Sequence, residues 1–185
     1  MDARICCNVG HVATNINNIS SGSYSVQMDI RLATPNDASA ISALIRGVAH
    51  YFTLHPDGSG AEEFLKSISV ESIEGFISKP NFRYFVGLVD MELAGVAAVR
   101  DNKHLFHLFV SSQFQRKGLA RELWNFVLHD ALLSGNSGEF TVNSTPFAVP
   151  VYASFGFETV GEKVETRGIA FVPMKLLLNT RENIA

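Results

Sequence analysis

The chain has almost no cysteine. Two occur in 185 residues, Cys6 and Cys7, and they are neighbours. Adjacent thiols build no disulfide framework, and nothing around them supplies the further ligands of a zinc site, so no metal is expected. A reducing, cytoplasmic compartment is the expectation. Any chemistry carried by the rest of the chain must do without a cysteine nucleophile. Long apolar runs are missing too. None approaches the roughly 18 residues of a membrane span, and no continuous apolar segment near the start reads as a signal peptide. An excess of basic charge is also absent: 15 Lys and Arg stand against 18 Asp and Glu, a net charge of −3. That argues against a nucleic-acid partner, which calls for a basic surface.

What is present is apolar. Hydrophobic residues make up 46% of the chain, 14 of them Phe, enough for a packed core in a chain of single-domain length. Periodic patterning is confined to 28–178. Residues 1–27 scatter Val9, Val12, Ile16 and Ile19 among Asn, Ser and Gly. They read as a disordered extension, with Met28 as the expected natural start, and 179–185 read as a tail.

Within 28–178 a short strand over 28–33 leads to Thr34-Pro35 and Asp37, the residue types that open a helix. Ala38, Ile41, Ile45, Val48 and Phe52 then recur at helical spacing. A breaker-rich loop at 55–60 precedes two helical pieces near 60–68 and 70–78, the second starting at Ser69 or Ser72. Strands are expected over 82–89, 93–100 and 104–110, joined by polar turns into an antiparallel meander. A helix over 116–133, a strand at 140–143, a second helix over 145–155, a strand at 156–160 and a last strand at 169–178 complete the order. Residues 161–168 are a hairpin partner or turn. The order predicts an α/β (α+β) sheet covered by helices.

The most informative stretch is 105–128. An apolar strand runs through a short polar loop with one glycine, Gly118, straight into an amphipathic helix. Such a loop aims backbone N–H groups and the positive end of the helix dipole at one spot. Arg116, Lys117 and Arg121 add charge around it. A phosphate or pyrophosphate is the expected occupant.

The run QRKGLA at 115–120 resembles the Q/R-x-x-G-x-G/A motif of the GCN5-related N-acetyltransferase (GNAT) superfamily, with Ala120 where glycine is commoner. The run from Asn143 to Tyr152, followed by Gly156-Phe157, resembles the family's second signature, a tyrosine shortly before Gly-Phe. The resemblance covers roughly 28–178. It implies a GNAT-type mixed, mostly antiparallel central sheet, splayed open between a fourth strand (104–110) and a fifth (139–143), with acetyl-coenzyme A as cosubstrate in the opening. Backbone groups of Leu108, Phe109 and Val110 would meet the pantetheine arm. Gln115, Arg116, Lys117, Gly118, Leu119, Ala120 and Arg121 would surround the pyrophosphate. Asn143 would reach the pantetheine, and Tyr152 would lie near the sulfur as proton donor, although a tyrosine there could equally belong to the core. The implied reaction is acetyl transfer to the primary amine of a small molecule or peptide, and a homodimer is the family habit.

A strand N–H near Phe109 would steady the thioester oxygen. A base must also take the amine's proton. Many family members carry a glutamate on the fourth strand, but here that strand holds no carboxylate. His107 is the candidate on it, although a lone strand histidine is more often packed than catalytic. His104 lies three positions away, so a regular strand would put the two on opposite faces. His50, His55, Glu71 and Glu74 could also approach the acceptor. The rival reading is a non-catalytic acyl-coenzyme A-binding or sensing module on the same fold.

Overall fold

Side chains alternating in and out along three consecutive strands build the centre of the molecule. In this computed structural model, which describes residues 28–178, β2 (Phe82–Val89), β3 (Glu92–Arg100) and β4 (His104–Val110) run antiparallel. The expected extension 1–27 and tail 179–185 lie outside the described residues. Left-handed backbone at Asp90, Met91, Asp101 and Asn102 makes the two tight links. β1 (Asp29–Leu32) pairs with β2. β5 (Glu139–Ser144) lies beside β4, and β8 (Ile169–Leu177) lies beside β5. The short β6 (Glu158–Thr159) and β7 (Val164–Thr166) both pair with β8. The sheet order is β1-β2-β3-β4-β5-β8-β6, with β4–β5 its parallel pair. This is the mixed, mostly antiparallel sheet that was expected.

Helices cover both faces. Along β3, Ala97 and Val99 pack toward Leu123, Trp124 and Val127 of α4 (Leu119–Leu133). Val96 and Ala98 pack toward Ile41 and Ile45 of α1 (Ala38–Gly47) and Ile73 of α3 (Val70–Ile77). Trp124, only 2% exposed, stands edge-on to Phe140. At the start of α1 the Thr34 N–H donates to the Asp37 carboxylate at 2.7 Å. Ser69 is the cap of α3, accepting from the Ser72 N–H. The short α2 (Glu62–Ser67) and α5 (Val149–Ser154) complete the helices.

Several boundaries differ from expectation. α1 ends at Gly47 and continues as a separate 3₁₀ turn, Ala49–Tyr51. α4 starts at Leu119 rather than 116, because Gly118 sits at φ 86 and cannot be helical. The helix expected over 145–155 opens as a 3₁₀ turn, Pro146–Ala148, with the Ala148 N–H donating to Thr145 Oγ1 at 3.1 Å.

The β7–β8 hairpin is locked against the loop after α1. The Leu54 N–H donates to the Gly168 carbonyl at 2.8 Å. Gly168 has φ 69, and a Cβ there would lie 2.2 Å from the Gly60 carbonyl carbon and 2.4 Å from the Ala61 nitrogen. Neither main-chain atom can give way cheaply. Gly168→Ala is expected to cost about 2–4 kcal/mol, read as a lowered urea midpoint with unchanged m-value. Gly135→Ala is the control. Its φ is likewise positive, at 86, but nothing lies within 4 Å of its added Cβ, so only the backbone strain of about 1 kcal/mol applies. Equal losses in the two variants would contradict the close approach.

Candidate active site

The sheet opens where its parallel pair separates. β4 and β5 are in register at His104↔Thr141 and Leu105↔Val142 only. Beyond that, β4 bends away. Its pairing with β3 jumps from Val99↔Leu105 to Ala98↔His107, leaving Phe106 as an extra residue, and such a bulge kinks the strand that carries it. The Ser111 N–H donates to the Ala94 carbonyl at 2.9 Å. Because an antiparallel ladder alternates, Phe109 also turns its backbone groups to β3, while Leu108 and Val110 turn theirs into the opening. The N–H expected near Phe109 is therefore that of Leu108 or Val110.

The opening widens into a cavity of about 620 Å³. Of the site residues expected from the sequence, all but Lys117 and His107 line it. At one end lies the loop into α4. Gln115 braces it by donating from Nε2 to the Val110 carbonyl at 3.1 Å. Arg116 (φ 62) and Gly118 (φ 86) are both left-handed, a backbone course that gathers N–H groups into a concavity. Gly118 has nothing within 4 Å of an added Cβ, so its cavity side is open. The Arg121 and Glu122 N–H groups are taken by the Gly118 carbonyl. The unpaired first-turn donors of α4 are those before Arg121.

Two of the loop cations are committed elsewhere. Lys117 holds its ammonium 5.3 Å from the Phe114 ring centroid. Arg121 reaches across to α5, donating to the Ser154 carbonyl at 3.2 Å and to its Oγ at 2.9 Å, with the Phe155 ring 4.9 Å away. Arg121 thus ties α4 to α5 at the rim of the cavity.

Asn143 is exposed at the end of β5, paired with Pro173 on its other side. Tyr152 of α5 is 7% exposed, its ring edge-on to Phe155 and Phe157. Burial pushes its phenol well above the usual range, so the hydroxyl stays protonated at neutral pH. No hydrogen bond from another described residue engages that hydroxyl.

His107 needs correction as a base. It is 6% exposed and faces away from the cavity, with Nδ1 3.1 Å from the Tyr84 hydroxyl. Burial pushes its imidazole down to about 3, too weak to take a proton from an ammonium group. The bulge explains the placement. Phe106 and His107 both turn to the α1 layer, and His104, opposite Arg100, shares that face, contrary to the opposite faces expected of a regular strand. Among the described residues no group of three or more His, Cys, Asp or Glu could hold a metal ion.

The burial of His107 makes stability pH-dependent. The unfolded imidazole titrates near ~6.5 and the folded one at about 3. The unfolded chain therefore binds the extra proton between those values. The contribution is complete above about pH 6.5 and is lost as pH falls toward 3, at up to ~1.4 kcal/mol per unit. Burial lowers His104 in the same direction. Urea midpoints at pH 7 and pH 5 should differ by up to about 2 kcal/mol of stability, and His107→Gln should flatten that slope. An unaltered slope would contradict the buried, neutral imidazole.

The other base candidates also miss the cavity. His50 lines a separate, smaller pocket with Arg46 and Asp57. His55 is exposed, and so are Glu71 and Glu74 on α3. Aromatic side chains form the far end. Tyr51, Phe52 and Phe106 meet Phe109 and Phe147 there, and Tyr51 stacks on Phe147 with centroids 4.7 Å apart.

Comparison with known proteins gives a consistent family. Residues 52–178 match the model of the "Acetyltransferase (GNAT) domain". No curated protein matches the sequence significantly. Solved structures share the fold at low identity. The PaiA N-acetyltransferase of Thermoplasma acidophilum, solved in complex with coenzyme A, has a TM-score of 0.65 at 16% identity, covering 80% of this chain and 98% of its own. A GCN5-related N-acetyltransferase from Rhodopseudomonas palustris has a TM-score of 0.68 at 16% identity, covering 85% of this chain and 100% of its own. A variant of the spermidine N-acetyltransferase SpeG from Vibrio cholerae has a TM-score of 0.59 at 20% identity, covering 81% and 94%.

Proposed function

The chain belongs to the GNAT acetyltransferase family, and on that premise we propose that it moves an acetyl group from acetyl-coenzyme A to a primary amine by direct attack in a ternary complex. The observation that carries this reading is the continuous path through the opening: the β4 edge that Leu108 and the Val110 N–H turn into it, running into the left-handed loop and first-turn N–H groups of α4. Those groups suit the two polar parts of the coenzyme. Amide-bearing pantetheine would lie along a strand edge, and pyrophosphate would meet a helix N-terminus. Asn143, on the opposite wall, adds a donor and an acceptor toward the same arm.

The reaction forms a C–N bond at the thioester carbonyl carbon and breaks the C–S bond. The nitrogen loses a proton and the sulfur gains one. The strand N–H aimed into the opening offers a partner for charge developing on the carbonyl oxygen. Tyr152, kept protonated by burial, donates toward the departing sulfur. No cysteine occurs in 28–178, so an acyl-cysteine relay has no nucleophile there. Among the described residues that line the cavity, none is a carboxylate or a histidine. That favours one rival, a domain that binds acyl-coenzyme A without turnover.

Incubation with acetyl-coenzyme A and a panel of primary amines separates the two, with mass detection of products and a thiol assay. The transferase reading expects acetylated amine and free coenzyme A in equal amounts. Coenzyme binding with no product across the panel would contradict it and favour the sensor.

A further inference from the structure

The far end of the cavity is aromatic, and among the described residues it carries no carboxylate or histidine. Tyr51 and Phe147 stack on each other at 4.7 Å with planes 18° apart. Phe52 lies 5.6 Å from Phe109, and Phe106 joins them from the bulge of β4. The ionisable side chains among the described residues that line the cavity are Tyr51, Arg116, Arg121 and Tyr152. Two of these are cations and two are phenols.

An amine must reach the carbonyl carbon with its lone pair free. A lysine-type ammonium, with a pKa of about 10.4, is neutral in about one part in a thousand at pH 7.4. Among the described residues the lining offers no histidine or carboxylate to take its proton or to hold it charged. The rings do not replace a carboxylate. A cation over such an exposed ring gains only about 0.5–1 kcal/mol. What these rings suit is a flat apolar body. Resting on the acetyl-transfer reading, we propose that the acceptor is a small aromatic primary amine of low basicity, entering largely neutral, and not a polyamine or a lysine side chain.

Initial rates with acetyl-coenzyme A test this, measured from pH 6 to 9.5 on phenylalaninamide, 2-phenylethylamine and spermidine. With no base in the cavity, each profile should follow the amine's own ionisation. For phenylalaninamide kcat/KM should level near the α-amino range of about 7.7–8.0, while for 2-phenylethylamine it should still climb about tenfold per unit at pH 8–9. Spermidine should lie at least about 100-fold below phenylalaninamide at pH 7, because almost all of it is charged. Phe147→Ala should raise KM for phenylalaninamide about tenfold and leave the coenzyme Kd unchanged, since an exposed ring (64%) is removed from the acceptor end. Preference for spermidine at pH 7 would overturn the inference. So would profiles that level at one shared pH for all amines, as an enzyme base would produce. Coenzyme binding with no free thiol from any amine would overturn the acetyl-transfer reading itself, an outcome distinct from transfer to the wrong amine.

Discussion

Tyr152→Phe is expected to lower kcat for acetyl transfer by about 100-fold or more, with the Kd for acetyl-coenzyme A held within about twofold. The split follows from where the residue sits. Its ring is buried between Phe155 and Phe157, and phenylalanine keeps that packing. The hydroxyl, with no partner among the described residues, is the part lost. A thiolate leaving group without a donor must depart fully charged into an apolar cavity, which is costly. The phenol is the weaker acid of the pair, so its help comes as a hydrogen bond that strengthens while the C–S bond breaks. Stopped-flow turnover and calorimetric titration together give both numbers. Unchanged turnover would remove Tyr152 from the mechanism. Equal loss of turnover and affinity would make it a binding residue.

Gly118→Glu is expected to weaken acetyl-coenzyme A binding by about 100-fold or more, close to 3 kcal/mol. Two effects act together. The new carboxylate stands among the N–H groups before Arg121, where an anion is meant to lie, and a side chain at φ 86 strains the loop that aims them. The open space around Gly118 means the chain can still fold. Gly118→Ala separates the effects: it keeps the strain without the charge and should lose far less affinity. Full affinity in the glutamate variant would show that no phosphate is held at this loop.

The parts legible in the sequence are those whose period survives folding intact. β2 announces itself through aromatic and β-branched residues and α4 through helical recurrence, and the loop at 115–120 carries its glycine in plain view. The bulge at Phe106 leaves no such mark, because one extra residue changes neither composition nor spacing. It is enough to bring His104 and His107 to one face and to bury His107 against Tyr84. The aromatic end of the cavity is legible only in part. Tyr51 and Phe147 lie far apart along the chain, and only tertiary packing stacks one on the other. Residue type was a poor guide for the cations as well: Arg121 looked like a phosphate ligand, yet its guanidinium also fastens α4 to Ser154.

A crystal structure of the chain with acetyl-coenzyme A tests the central claim most directly. The pyrophosphate should lie within hydrogen-bond distance, about 2.7–3.2 Å, of backbone N–H groups between Arg116 and Ala120. The pantetheine should run along Leu108 and Val110, with the sulfur beside the Tyr152 hydroxyl. A coenzyme bound outside the β4–β5 opening, or a thioester turned away from Tyr152, would contradict it.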